Sequence, residues 1–370
     1  MAAAGSSAAL ADHIDFQRMA LVTSPGFTRR GVVERIRLSM GTRLVAVLDD
    51  VKPNPDVRDV DAQAVRLRSL GIDGIVALGG GSSIDTAKAL ARVLPQPGNV
   101  TLTDHFRSAE VFASGINALP VGAIPTTAGT GAEVTPFGTI WDFEFGKKYS
   151  VAGDDLYPSV AILDPELTLE LPVEVTVSSG LDAISHALES VWNHNASPIT
   201  LALAAKSLQL SLHALPELGR KPGDIGARSL MMQASLLAGM AISQTRTALA
   251  HSISYPLTTE FGLPHGIACS FTLPELLRFN QVSDDGRMTH LARSLGHAGT
   301  DALADALDEL LLVVDLPEVF RKHVSKKSQV LGLSNRMIAP GRAENNLREV
   351  SGSQLLALLE GSLERIGLQA

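Results

Sequence analysis

Four short, nearly continuous runs of Val, Ile, Ala and Leu interrupt the first half of this chain: RLVAVLDD (43–50), GIDGIVALGGG (71–81), LPVGAIPTT (119–127) and SVAILDP (159–165). Each is closed by Gly, Pro or Asp, and helix-forming segments lie between them. A strand that is apolar on both faces needs cover on both, so the pattern predicts a parallel sheet with helices on either side. From about residue 172 the runs stop. The Ala/Leu/Ser stretches 196–214 and 227–243 repeat apolar residues at helical spacing with almost no β-branched clusters, which predicts an all-α second half. Two prolines in DPELTLELPVEV (164–175) mark the join. The expectation is an α/β domain over 1–171 and an α-helical domain over 172–370, and 370 residues suit two domains of roughly 150–200 residues each. The first dozen residues read as a loose tail.

Two loops in the first half are built like ligand loops. VALGGGSSIDTAKAL (76–90) is a buried strand, three glycines and a helix starting at Ser82 or Ser83. Glycines let a phosphate approach the backbone, and a helix N-terminus offers free N–H groups and a favourable dipole. The turn is neither GxGxxG nor a P-loop, so a nucleoside triphosphate is disfavoured. IPTTAGTGAEVT (124–135) follows another strand with Thr126, Thr127, Thr130 and two glycines, and by itself reads equally as a connection. Two such loops at the C-terminal edge of one parallel sheet are where dinucleotides bind.

Composition removes several classes of partner. A net charge of -8 without a Lys/Arg run argues against nucleic acid. The one cysteine, Cys269, excludes an internal disulfide and fits a reducing compartment. The N-terminal segment lacks the basic and apolar regions of a leader, and no apolar run approaches the ~20 residues a membrane span needs. These features predict a cytoplasmic protein with no membrane partner.

GLDAISHALES (180–190) places Asp182 and His186 one turn apart on a single helix face, either as a surface contact or as half of a metal site. ALAHSISYPLTTEFGLPHGIACS (248–270) adds His251 and His265 in apolar, Gly/Pro-flanked surroundings. A lone histidine on an apolar helix is usually a satisfied core residue. Three imidazoles and a carboxylate, however, suit a borderline divalent ion and leave a position for substrate. His194 is the closest competitor.

In GGGSSIDTAKAL, IPTTAGTGAEVT, GLDAISHALES, AHSISYPL, GLPHGIACSFTLPELLRFN and RAENNLREVS (342–351), the chain resembles the iron-containing (group III) alcohol dehydrogenase family over roughly residues 15 to 365. The resemblance implies an N-terminal Rossmann-like α/β domain that binds NAD(P) and an all-helical C-terminal domain that binds a divalent metal, Fe²⁺ foremost and Zn²⁺ next. It implies metal ligands Asp182, His186, His251 and His265, and pyrophosphate contacts at Gly80, Gly81 and Ser82. It also implies nicotinamide-side or phosphate contacts at Thr126, Thr127 and Thr130 and a ribose contact at Lys148, with Asp85 and Ser24 completing the cofactor set. A homodimer is the family expectation. Asp182 is intact, which argues against the metal-free, maleylacetate-reductase-like members.

Three departures from the family pattern bear on function. Ser24 stands where many members carry an Asp that repels a 2′-phosphate, and Arg29 and Arg30 are near, so NADH and NADPH both stay open. His251-x3-Tyr255 replaces the frequent His-x3-His; a phenol donates a hydrogen bond but is a poor base at neutral pH, and Tyr255 is open to packing or to catalysis. Arg246, in ISQTRTALAH (242–251), occupies a position where relatives have a small residue; a guanidinium turned toward substrate grips a phosphonate, phosphate or carboxylate in bidentate fashion. The wording SQTRTALAHSISYPL looks most like the phosphonoacetaldehyde reductases, which make 2-hydroxyethylphosphonate. The expected activity is reduction of a small anionic aldehyde to its primary alcohol. Small neutral alcohols or diols are the alternative, and a dehydroquinate-synthase-like lyase or a non-enzymatic cofactor-binding protein is more distant.

Overall fold

The computed structural model describes residues 2–108, 112–338 and 341–369. The chain divides into two compact units, residues 1–127 with 132–168, and residues 128–131 with 169–370. The dividing point at 168 lies three residues before the expected one, and the grouping of 128–131 with the second unit was not foreseen.

In the first unit the strands are β1 (Met19–Thr23), β2 (Leu44–Leu48), β3 (Gly74–Gly79), β4 (Val121–Pro125), β5 (Phe137–Asp142), β6 (Lys147–Ala152) and β7 (Val160–Ala161). The helices are α1 (Leu10–His13), α2 (Pro25–Arg29), α3 (Val32–Met40), α4 (Val57–Arg68), α5 (Gly81–Val93) and α6 (Leu102–Arg107). Five strands form one parallel sheet in the order β2-β1-β3-β4-β7. Side chains alternate between its faces as strand geometry requires. Ala20, Val22, Ile75 and Ala77 pack with Val60 and Ala64 of α4 and Ile84 and Leu90 of α5. Met19, Leu21, Val76 and Leu78 pack with Phe27 of α2 and Val33 and Ile36 of α3. This two-sided cover is why the strands read as unbroken apolar runs.

Several sequence expectations need correction here. The N-terminal segment is not a loose tail over residues 5–10: the Asp164 carboxylate accepts the backbone N–H groups of Gly5 (2.9 Å) and Ser7 (3.0 Å) and the Ser7 hydroxyl (2.6 Å), and Leu10 is fully buried. Helix α5 starts at Gly81, with Gly80 as its N-cap, one residue before the expected start. The antiparallel β5–β6 hairpin was not foreseen, because its burial alternates along an otherwise polar stretch. Its anchor is Lys88, fully buried on α5, whose ammonium donates to the carbonyls of Ala132 (2.7 Å), Thr135 (2.6 Å) and Phe137 (2.8 Å). Burial pushes the Lys88 amine down to about 8, against the opposing pull of Asp85 and Glu133.

The second unit contains α7 (Val173–Val191), α8 (Pro198–Arg220), α9 (Ile225–Thr245), α10 (Leu249–Phe261), α11 (His265–Ser270), α12 (Leu273–Gln281), α13 (Arg287–Ser294), α14 (Thr300–Val313), α15 (Leu316–His323), α16 (Lys327–Leu331) and α17 (Gly352–Arg365). Helices α7, α8 and α9 pack against one another, and α11 lies on α7. Contrary to the sequence reading, α9 is long and apolar enough to cross a membrane; 56% of its most apolar window is buried inside the unit, as in the core helix of a globular domain.

Replacing Lys88 with Met should lower the unfolding free energy by roughly 3 kcal/mol, since three buried carbonyls lose a charged donor. A urea titration followed by tryptophan fluorescence and circular dichroism reads this directly; an unchanged midpoint would mean that the hairpin is held by other contacts.

Candidate metal centre and glycine turn

Asp182, His186 and Glu189 stand at i, i+4 and i+7 on α7 and so share one face of that helix. His251 comes from the first turn of α10 and His265 opens α11. What lets α11 reach α7 is Gly266: a Cβ there would sit 1.7 Å from the Ser178 carbonyl oxygen. The contact is sealed by Ser270, whose hydroxyl lies 3.0 Å from that of Ser185 and 3.1 Å from the carbonyl of Leu181.

Three imidazole nitrogens converge on one carboxylate oxygen. The Nε2 atoms of His251, His186 and His265 lie 3.4, 3.6 and 3.8 Å from Asp182 Oδ1. Two of the rings have their other nitrogen committed. His251 Nδ1 donates to Glu189 Oε2 at 2.6 Å, while Glu189 Oε1 accepts the His251 backbone N–H at 3.1 Å. His186 Nδ1 donates to the carbonyl of Gly129 at 3.2 Å. Both therefore turn Nε2 toward an anionic oxygen, and in its neutral form each ring presents a lone pair there. Asp182 Oδ1 and His251 Nε2 are buried without a hydrogen-bond partner. Lone pairs facing each other in a dry site are unfavourable unless a cation lies among them, so these residues fit a divalent ion. Burial raises the Asp182 carboxyl, but its contacts with His186, His251 and His265 outweigh burial and hold the group well below the usual carboxylate range. Only His265 is substantially exposed, its side chain 39% accessible against 5% for Asp182, so the open side of the centre is at His265.

Glu189 was missed in the sequence although its i+7 spacing from Asp182 was visible there. Its double contact with His251 is the arrangement in which a carboxylate commonly stands behind a metal-ligating histidine. Cys269 was likewise not connected to the cluster. Its sulfur, with donor atoms of Asp182, His251 and His265, belongs to a set lying within 4.8 Å of one another. His186 is not in that set and joins the cluster through its Nε2, 3.6 Å from Asp182 Oδ1, whereas His194, the competitor, is exposed and lies outside both groupings.

Tyr255, one turn after His251, has its ring parallel to that of His265 at 6.3 Å. The guanidinium of Arg342 lies over the Tyr255 ring, 4.8 Å from its centroid. Arg342 was also missed; it was legible only as part of a longer similar segment. Arg246 ends α9 with φ 66 and ψ 174, a conformation nearly restricted to glycine. Its N–H donates to Ile242 and its carbonyl accepts from Asn193 Nδ2 (3.2 Å) and Thr245 Oγ1 (3.0 Å), so the strained backbone is held from both sides. Its side chain is exposed.

In the first unit, the Gly79–Gly81 turn follows β3, flanked in the sheet by β1 and β4. Ser24 follows β1 as the N-cap of α2, and Thr126 and Thr127 follow β4. The sheet order reverses direction between β1 and β3, which is the position where parallel sheets take nucleotides. A Cβ on Gly80 would lie 3.0 Å from Thr127 Oγ1, so a side chain would fill the cradle. Ser82 Oγ accepts from Asn54 N–H at 3.2 Å. Asp85 is already engaged, accepting the Thr139 N–H at 3.0 Å; burial pushes its carboxyl up to about 6 despite nearby Lys88 and Lys148. Lys148, on β6, lies 5.3 Å from the Trp141 ring centroid. Thr130 falls in the segment that packs with the second unit, unlike Thr126 and Thr127.

Comparison with known proteins supplies an independent line. The model of the iron-containing alcohol dehydrogenase family matches residues 2–165, and that of the family's C-terminal part matches residues 176–363. The chain is 36% identical over 260 residues to 1-propanol dehydrogenase PduQ of Salmonella typhimurium, covering 70% of this chain and 66%, just under two thirds, of that protein. It is 36% identical over 297 residues to the phosphonoacetaldehyde reductase of Streptomyces viridochromogenes, covering 78% of this chain and 74% of that one. The sulfoacetaldehyde reductase of Bifidobacterium kashiwanohense, solved in complex with NAD⁺, superposes with a TM-score of 0.89 at 31% identity, covering 97% of this chain and 95% of the other.

Glu189→Gln should weaken divalent-metal binding by roughly 10–100-fold, because an amide cannot accept from both donors of His251. Competition against a chromophoric chelator measures the change; an unaltered affinity would deny Glu189 its orienting part.

Proposed function

This chain belongs to the iron-containing alcohol dehydrogenase family, and from that premise we propose that it reduces a small anionic aldehyde to the primary alcohol with NAD(P)H. Phosphonoacetaldehyde, giving 2-hydroxyethylphosphonate for phosphonate biosynthesis, is the substrate its residues suit best. The reading is carried by four convergent side chains, three imidazoles whose Nε2 atoms lie within 3.8 Å of one buried oxygen of Asp182. When bound, a divalent ion supplies Lewis acidity at the carbonyl oxygen and a reduced nicotinamide supplies hydride.

The chain's own residues do the rest. Asp182, His186, His251 and His265 hold the ion, with Glu189 and the Gly129 carbonyl fixing two ring tautomers. Gly80, Gly81 and Ser82 receive the dinucleotide's diphosphate at the N-terminus of α5, helped by Thr126, Thr127 and Thr130, and Lys148 binds the ribose. Ser24, being neutral, accepts either NADH or NADPH. Tyr255 donates its phenolic proton to the substrate oxygen as the alcohol forms, a role supported by its ring lying parallel to that of His265 at 6.3 Å. The balance is aldehyde plus NAD(P)H plus one proton giving alcohol plus NAD(P)⁺.

Arg246 grips the anionic tail. Its backbone strain, of order 1–3 kcal/mol, is a cost that glycine would avoid, and it is retained where a guanidinium can be presented. Arg342, whose guanidinium lies 4.8 Å from the Tyr255 ring centroid, is a second candidate cation for the same task. The similarity to a 1-propanol dehydrogenase favours a second reading, in which the substrate is a neutral aldehyde and both arginines are idle. We place the enzyme in the cytoplasm, consistent with its free thiol, as a homodimer.

The two readings separate on a panel of neutral, carboxylated, sulfonated and phosphonylated aldehydes assayed with NADH and NADPH after Fe²⁺ or Zn²⁺ loading. Arg246→Ala should raise KM for phosphonoacetaldehyde roughly 10–100-fold, the worth of a charge-assisted pair, and change propanal less than about threefold. Equal losses on both would remove Arg246 from substrate binding. Arg246→Gly should cost the same in KM yet raise the unfolding free energy by about 1 kcal/mol; a drop in stability would show that the backbone is not strained.

A further inference from the structure

We propose that Asp49 makes this enzyme selective for NADH over NADPH, by holding an unpaired carboxylate on the side of the sheet edge toward which a 2′-phosphate projects. The inference rests on the dinucleotide reading of the glycine turn, and it decides a choice that the neutral Ser24 leaves open. Strand β2 ends at Leu48, which pairs with Val22 of β1, so Asp49 emerges beside Thr23 and Ser24 at the same edge. The Val51 N–H donates to the Thr23 carbonyl at 3.2 Å and keeps the two strand ends together. The carboxylate is fixed as well, because Asp49 Oδ2 accepts the Thr28 hydroxyl of α2 at 2.8 Å.

A hydroxyl orients an anion without cancelling its charge. The other acids of this rim are paired: Asp50 with Arg66 at 2.6 Å, Asp59 with Lys52 at 2.9 Å and Asp56 with Arg58 at 3.1 Å. Among the described residues, no cation stands within ion-pair distance of Asp49, whose one side-chain partner is Thr28. The negative charge therefore stays directed at whatever lies beyond the ends of β1 and β2.

With the nicotinamide side at Thr126 and Thr127 after β4 and the diphosphate at the turn after β3, the adenosine end runs the other way, over β1 and β2. Neighbouring strands are about 4.8 Å apart, so Ser24 stands one strand from the turn and Asp49 two. Ser24 caps α2 without spending its hydroxyl on a helix N–H, which leaves that group for a ribose 2′-hydroxyl. A phosphate in place of the ribose hydrogen extends toward Asp49, and like charges roughly 6 Å apart at a half-solvated edge cost about tenfold in affinity or more. Two exposed cations, Arg29 and Arg30, oppose this effect. The Arg30 guanidinium lies over the Phe27 ring, 4.3 Å from its centroid. Thr28 is the α2 residue turned to Asp49, and the next helical residue, Arg29, is rotated from it by about 100°.

Calorimetric titration of full-length, metal-loaded protein with NADH and with NADPH, in the absence of aldehyde, reads binding without turnover. The wild type should bind NADH about tenfold tighter or more. Asp49→Asn keeps an acceptor for Thr28 and should tighten NADPH about tenfold while moving NADH less than about threefold. Raising KCl from about 0.1 M to about 1 M should narrow the wild-type preference, since the charges are exposed to screening. Equal wild-type affinities, tighter binding of NADPH, or a preference that survives in Asp49→Asn would overturn the role of Asp49 and leave the dinucleotide site standing. Should that variant not fold, a wild-type preference unmoved by salt overturns it equally. Failure to bind either dinucleotide would instead overturn the reading of the glycine turn, and the selectivity with it.

Discussion

An anionic oxygen buried away from water must be met by a donor or a cation, and Asp182 Oδ1 is met by neither among the described residues. Three imidazole nitrogens surround it at distances too long for hydrogen bonds of ordinary strength and suited to sharing an ion. Much of the second unit serves this convergence. The face of α7 supplies two donors and an orienting carboxylate, the close approach at Gly266 brings His265 onto α7, and the Glu189–His251 pair fixes which nitrogen looks inward. Burying the Asp182 carboxylate oxygen without a hydrogen-bond partner is costly unless a cation is held beside it.

The first unit is organised by a different constraint. A parallel sheet covered on both faces leaves its C-terminal strand ends as the place where backbone N–H groups can face a ligand. Strand order puts the glycine turn between the ends of β1 and β4, so three separate sequence segments contribute to one edge. Lys88 shows how much of the unit's polar interior is structural: a buried ammonium spends its hydrogen bonds on three carbonyls and thereby anchors a hairpin. Asp85 beside it is similarly engaged by a backbone N–H, which assigns it to holding that hairpin as much as to any ligand.

Arg246 and Tyr255 illustrate where sequence comparison and geometry complement each other. Both drew notice as departures from a family pattern, one a cation for a small residue, the other a phenol for an imidazole. The structure adds that Arg246 is held in a backbone conformation costly for any side chain, and that Tyr255 lies parallel to His265 beneath a second guanidinium. Arg342 joins this group only through folding, for it lies 87 positions after Tyr255 in the chain.

Periodicity and turn chemistry made the α/β and all-α halves, four of the parallel-sheet strands and the glycine turn legible in the sequence, because these depend on local spacing. The four histidine and aspartate donors were legible too, through a helical i, i+4 pair and two Gly/Pro-framed histidines. Local pattern could not show the tethering of the N-terminal residues to Asp164, the polar β5–β6 hairpin, or the packing of 128–131 with the helices, since each is set by partners distant in the chain. Nor could it place Glu189 behind His251 or Cys269 beside Asp182. A hydrogen bond or a shared ion is decided by which atoms end within about 3–4 Å of each other, and that distance is fixed by the packing of α7, α10 and α11.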